Sequence, residues 1–220
     1  MLDPADFPVR TTGDRVNARA AVEKVAGEYT IRALGADTWD AFAALCERNN
    51  GAGMGGCWCC WFHEATMSER ETEIRACGGN EQYKHQRVLD GRAHAALAFE
   101  GDEAVGWCEY GPPSELPGVY HAKELAASGD PLPDFRLTCF FVDRRHRGRG
   151  VATAALHGAL ELIAHAGGGV VETYPRDAPG KTSASFLYNG VRPMFEKAGF
   201  AYVRPKGTKN CIMRLTVTPR

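Results

Sequence analysis

Apolar residues along this chain change period several times, and the changes mark its elements. Residues 29–34 read as a strand. At 37–48 the spacing becomes helical, with Trp39, Phe42, Ala43 and Leu45 on one face and Asp37 placed to cap it. A glycine-rich break at 49–56 leads into a dense run, Cys57-Trp58-Cys59-Cys60-Trp61-Phe62-His63. Ser68 and Glu71 stand at capping-box spacing, which predicts a helix over 68–77, and a second helix covers part of 80–89. Short apolar runs at 93–99 and 104–109 flank the turn Glu100-Gly101-Asp102-Glu103 and predict a hairpin. Residues 112–133 read as a proline-rich loop, 136–142 as a strand with bulky side chains, and 151–165 as an alanine-rich helix closed by Gly167-Gly168-Gly169. A strand at 170–174, helices at 183–188 and 192–198, and strands at 201–204 and 210–217 complete the pattern. Residues 1–28 are weakly patterned and read as an N-terminal extension to one domain over 29–220.

Composition narrows the classes. With 220 residues, 44% hydrophobic and 24% charged, the chain can bury one substantial core without metal or disulfide support. Its net charge of -1 offers no global excess for nucleic acid, so any phosphate recognition must be local. No apolar run approaches the roughly 20 residues of a membrane span, and the N-terminus lacks an apolar signal core. The expectation is a soluble, cytoplasmic protein with no membrane partner, whose eight cysteines are reduced thiols.

The strongest local chemistry lies where the strand at 136–142 runs through Asp143-Arg144-Arg145-His146-Arg147-Gly148-Arg149-Gly150 into the helix that starts at Val151. N–H groups at a helix start have no intrahelical partner and carry partial positive charge, which suits a phosphate. Gly148 and Gly150 would let the backbone approach an anion, and Arg145, Arg147 and Arg149 add charge. A solvated basic turn before a helix would read the same way.

R-x-x-G-x-G from Arg145 to Gly150, followed by Val151 and Ala152, resembles the acyl-CoA loop of the GNAT acetyltransferases. The hairpin, the strand, VVETYPRD and the closing F-E-K-x-G-F from Phe195 to Phe200 occur in the order that family shows, and the resemblance runs from Ala93 onward. It implies an α/β fold of the α+β type: a mixed, mostly antiparallel central sheet, splayed in the middle and flanked by helices. Acetyl-CoA would enter the gap as cosubstrate, with no metal. Phe141, Val142 and Asp143 would line the pantetheine arm, and the N–H groups from Arg147 through Gly148, Arg149, Gly150, Val151 and Ala152 would hold the pyrophosphate. Asn189 joins this cofactor-binding set. An acceptor amine, small-molecule or peptide, would attack the thioester directly, helped by a backbone N–H near Phe141 or Val142. Homodimerisation is the self-association considered.

One departure matters. The family often places a tyrosine in the last helix as general acid, and Phe195 stands at that position. Tyr188 is the first replacement candidate and Tyr174 the second, while Glu109 and Glu172 are the candidate bases. Each could equally be structural, the tyrosines as core or loop residues and the glutamates as arginine partners. Trp39, Trp58, Trp61 and Phe62 would wall an acceptor pocket or fill a core. A zinc or C-x-x-C redox role for Cys57, Cys59, Cys60 and His63 lacks a complete ligand set. The P-loop-like Pro175–Thr182 stretch has Pro175 where a glycine belongs, and Pro179 removes an N–H from the cradle. A catalytically silent acyl-CoA-binding module on the same fold remains the alternative from another class.

Overall fold

The computed structural model describes residues 29–49, 58–180, 182–183 and 186–220. The expected N-terminal extension, most of the glycine-rich break, Cys57 and Lys181 lie outside them. Among the described residues, seven strands form one sheet in the order β1-β2-β3-β4-β5-β7-β6. The strands are β1 (Thr30–Ala33), β2 (His94–Glu100), β3 (Glu103–Gly111), β4 (Phe135–Val142), β5 (Gly169–Thr173), β6 (Ala201–Lys206) and β7 (Asn210–Val217). All neighbours pair antiparallel except β4 and β5, which are parallel. This is the expected mixed, mostly antiparallel sheet.

Period two divides the sheet's side chains between two faces, each with its own core. Ala96 and Ala98 of β2 join the cluster under α5 (Val151–His165), which contributes Ala155, Leu156, Ala159 and Ile163. Ala95, Leu97 and Phe99 join the opposite cluster, with Phe42 and Leu45 of α1 (Trp39–Arg48), Trp58, Phe62 and Trp107. The polar helices α2 (Met67–Cys77) and α3 (Asn80–Leu89) lie beyond α1 in the chain, and α3 buries Tyr83, Lys84, Arg87 and Val88. Among the described residues no helix is long and apolar enough to cross a membrane.

The sheet opens at one place. β4 and β5 pair only from Phe135–Leu137 to Val171–Thr173, and beyond Leu137 the two strands part. The split coincides with a bulge on the other edge of β4, where Glu109 faces Cys139 and Tyr110 faces Leu137, leaving Thr138 as the extra residue. The α5 start is drawn in close by Gly106 of β3: a Cβ there would lie 2.7 Å from both the Phe141 carbonyl oxygen and Val151 Cγ1.

Several local expectations change. The capping box of α2 is Thr66 with Glu69, not Ser68 with Glu71; the same S/T-x-x-E spacing occurs twice, two residues apart, and the earlier pair closes the helix start. Asp37 is not the cap of α1, which begins after Thr38. The loop at 112–133 contains a short helix, α4 (Ala122–Ala127). Of the helix expected at 183–188, residues 184 and 185 lie outside the described ones, Phe186 has 3₁₀ backbone and Tyr188 lies in a turn; α6 (Arg192–Lys197) forms and carries Pro193 in its first turn.

Candidate functional site

β4 carries the geometry into the gap. Asp143 N–H donates to the Val105 carbonyl at 2.9 Å, so Gly106 and Val142 form a non-hydrogen-bonded antiparallel pair. The N–H and C=O of Val142 therefore point away from β3, toward the split. Two residues earlier, Phe140 N–H points the same way and donates to the Tyr188 carbonyl at 2.6 Å. Tyr188 is thereby pinned across the gap, one residue before Asn189.

After β4, a single 3₁₀ turn at Arg144–His146 leads to Gly148 (φ 75°) and Gly150 (φ 84°), the latter the N-cap of α5. Both glycines adopt left-handed backbone, and a Cβ at either would meet nothing within 4 Å, so the surface above them is open. The first-turn N–H groups of α5, from Val151 and Ala152, sit directly below. Val151 itself is buried.

The arginines divide differently from the sequence expectation. Arg145 is drawn into an ion pair with Asp143 (2.9 Å) and Glu103 (2.5 Å), and Arg149 pairs with Glu100 at 2.6 Å. Arg147 is exposed and its Nε donates to the Val142 carbonyl at 3.4 Å. The positive charge at this loop is thus offset by the adjacent Asp143 and by Glu100 and Glu103 of the β2–β3 turn, distant in the chain. Asp143 is correspondingly a brace: its carboxylate, 1% exposed, accepts from Arg145 N–H and Arg48 Nε. Burial pushes its carboxyl up, but Arg145, Arg48 and Asn49 together outweigh burial and hold it well below the usual range. A depressed folded-state value contributes stability above the ordinary Asp pKa of about 4 and loses it as pH falls. Glu109 has the same sign. We expect Asp143→Asn to lower Tm at neutral pH and to flatten, without abolishing, the acid limb of Tm against pH measured by circular dichroism. An acid limb identical to that of the parent would refute the brace.

Opposite α5, a pocket of about 290 Å³ opens at the mouth of the split. Phe62, Tyr120, Tyr174, Tyr188, Asn189 and Lys206 are among its walls. Tyr188 rests against Phe62, ring centroids 6.1 Å apart, and burial together with the neighbouring Tyr120 pushes its phenol above the ordinary value, so the hydroxyl stays protonated at neutral pH. The Asn189 Oδ1 is buried and accepts no hydrogen bond from the described residues. Trp61 stacks behind Tyr120 at 5.9 Å, whereas Trp39 and Trp58 are core residues around Phe42.

Neither glutamate reaches this pocket. Glu109 is fully buried; its Oε1 lies 2.9 Å from Lys84 Nζ and 3.3 Å from His63 Nε2, and its Oε2 accepts from the Thr138 hydroxyl at 2.7 Å. Burial pushes its carboxyl up, but Lys84 above all, with the Thr138 hydroxyl, holds it well below the usual range, the wrong direction for a base. Glu172 is fully buried too, between Arg214 (2.6 Å) and the Tyr174 hydroxyl (2.6 Å). That bond also commits the Tyr174 proton. Phe195 is sealed in the α5-side core, edge-on to Phe140 and Phe200. Cys59 and Cys60 are buried, and no group of three His, Cys, Asp or Glu among the described residues could hold a metal ion. Lys84 and Lys206 were not foreseen: a lone lysine in a polar helix, or near a hairpin turn, reads as solvated.

The sequence profile of the acetyltransferase (GNAT) family matches residues 57–200. No curated protein gives a significant match. Among solved structures, similar ones include a protein titled histone acetyltransferase HPA2 and related acetyltransferase from Corynebacterium glutamicum (16% identity, 88% of this chain and 98% of that one, TM-score 0.49). Others are the PaiA N-acetyltransferase of Thermoplasma acidophilum in complex with coenzyme A (14%, 86% and 99%, 0.46) and the ribosomal-protein-S5-alanine acetyltransferase of Vibrio fischeri (9%, 87% and 94%, 0.49). With its profile spanning most of the chain, and a parallel β4–β5 pair that splits above a glycine loop at a helix start, the protein belongs to the GNAT acetyltransferase family.

Proposed function

We propose that this protein transfers the acetyl group of acetyl-CoA to an amine by direct attack. The observation that carries the reading is the split at Leu137, which leads from the α5 start on one side to the 290 Å³ pocket on the other. The residues present suit acetyl-CoA: Asn189 has a buried acceptor oxygen that no described residue satisfies, as a pantetheine amide requires, and the surface above Gly148 and Gly150 is open. Bound there, acetyl-CoA supplies an activated thioester. Arg147, Gly148, Arg149, Gly150, Val151 and Ala152 would hold its pyrophosphate by backbone N–H groups, and Phe141, Val142 and Asn189 the arm.

The Val142 N–H, fixed by strand pairing toward the gap, is the donor for the oxygen on which charge develops. Such a preorganised donor is worth about 3–4 kcal/mol. Tyr188, held protonated beside the pocket, returns a proton to the departing sulfur. Holding both reactants in one geometry contributes more, up to about 7–11 kcal/mol. The chain therefore needs no nucleophile of its own.

Two measurements test this. Acetyl-CoA should raise Tm in proportion to its logarithmic excess over Kd, and free thiol should appear when acetyl-CoA is mixed with a panel of amines. Absence of stabilisation at saturating acetyl-CoA would overturn the binding half. Stabilisation without thiol release from any amine would overturn the transfer half.

A further inference from the structure

The pocket walls carry a charge pattern that bears on the acceptor. They include Lys206, Lys209 and His121, the tyrosines Tyr120, Tyr174 and Tyr188, and, among the described residues, no carboxylate. A site built to hold an amine by its ammonium group alone would be expected to present acidic or aromatic faces free of competing cations. Here the cation is built in. Lys206 is only 5% exposed, yet it ends on the pocket, donating one hydrogen bond to the Tyr120 carbonyl and lying 4.9 Å from the centre of the Tyr174 ring. An ammonium has three donors, and that carbonyl takes one. Burial pulls the Lys206 ammonium down to about 8, with Glu124 and Glu172 resisting and Arg136 and Arg204 assisting, so it is charged at neutral pH. The two carboxylates are engaged elsewhere, Glu124 beside His121 at 3.7 Å and Glu172 by Arg214 and Tyr174.

Building on the transferase reading, we infer that the acceptor is a small amine that also carries an anionic group, and that Lys206, with Lys209 and His121 around it, binds that group while the amine lies toward Tyr188. At about 290 Å³ the pocket is of a size for a small molecule. Specificity then follows from an asymmetry: a partly desolvated cation left without its anion is costly, so the uncharged analogue is rejected more strongly than contact counting suggests.

The test uses matched amines: tyramine against tyrosine and cadaverine against lysine for a carboxylate, ethanolamine against phosphoethanolamine for a phosphate. The anionic member of at least one kind of pair should show kcat/KM higher by about tenfold or more, the scale of a charge-assisted hydrogen bond. In Lys206→Met that ratio should fall to near one, and Lys206→Arg should retain part of it. Should Lys206→Met fail to fold, the same ratio is read in Lys209→Met, whose side chain is exposed and which should lower it less. Preference for the members without an anionic group, or a ratio unchanged in these variants, would overturn the inference. Thermal shift with CoA plus each amine gives a readout independent of turnover. Stabilisation by anionic amines, lost in Lys206→Met but without thiol release, would keep the anion site and remove the transferase reading. Thiol release with no anionic preference would do the reverse.

Discussion

Replacing Lys84 with Met should remove about 3–5 kcal/mol of stability, the cost of leaving a buried carboxylate without its cation. That is a large part of the roughly 5–15 kcal/mol that holds a domain folded. The geometry explains the size. Lys84 is fully buried and spends its three donors on Glu109 Oε1 (2.9 Å), His63 Nε2 (2.7 Å) and the Cys59 carbonyl (3.2 Å). His63 uses its other ring nitrogen at the Glu115 carbonyl, 3.1 Å away, so the network closes when the imidazole is neutral with its proton on Nδ1. Burial, with Lys84 adding to it, lowers the His63 pKa and favours that form. Burial would lower Lys84, but Glu109 with the Cys59 and Cys60 thiols together outweigh it and keep the ammonium charged.

Removing the ammonium reverses the sign for Glu109. Desolvation then raises its folded-state pKa, so the variant should be most stable at acid pH and lose stability as pH rises through the new value, opposite to the parent. Lys84→Met combined with Glu109→Gln should recover part of the loss, because neither charge is then buried alone. Chemical denaturation across pH measures all three. A Lys84→Met variant within about 1 kcal/mol of the parent at neutral pH would show that the pair carries little. The network ties α3 and the Cys59 segment to Thr138, the bulged residue at which β4 leaves β5, so its loss should also loosen the split.

Tyr188→Phe should lower kcat by about 10²-fold with little change in Tm, within the range that general acids supply. The hydroxyl's neighbour is the exposed Tyr120 rather than a core group. The side chain is half-buried, its carbonyl rather than its hydroxyl holds Phe140, and the phenyl ring kept by the variant preserves the contact with Phe62. Tyr174→Phe should differ in kind. That hydroxyl donates to buried Glu172, so its loss should cost stability first. Steady-state thiol release, paired with thermal denaturation, separates the two. An unchanged kcat in Tyr188→Phe would remove this residue as the proton donor.

How much was legible follows from which interactions are local. The β2–β3 hairpin, α5, its left-handed glycine start and the final strands could be read directly, because period, turn residues and helix ends act within a few positions. Tyr188 and Asn189, singled out from the motif order, do fall together beside the split, with the Tyr188 carbonyl accepting from Phe140 N–H. Boundaries slipped where two equivalent signals competed, as at Thr66 and Ser68, or where a six-residue helix lay inside a proline-rich stretch.

Charge partners far apart in the chain could not be identified residue by residue. Glu100 and Glu103 flank the β2–β3 turn, 49 and 42 positions from Arg149 and Arg145, yet fold onto them. Glu109 and Glu172 look alike as carboxylates in apolar strands, and a carboxylate in such a setting demands a partner. Which partner it finds, Lys84 from α3 or Arg214 from β7, depends on residues 25 and 42 positions away. Chain pattern alone therefore settled the fold family and the glycine loop at the start of α5, since both are written in short-range periodicity and backbone freedom. Whether a given ionisable side chain is a brace, a buried pair or a pocket wall was settled by packing, because desolvation and Coulomb energy depend on distance in space rather than along the chain.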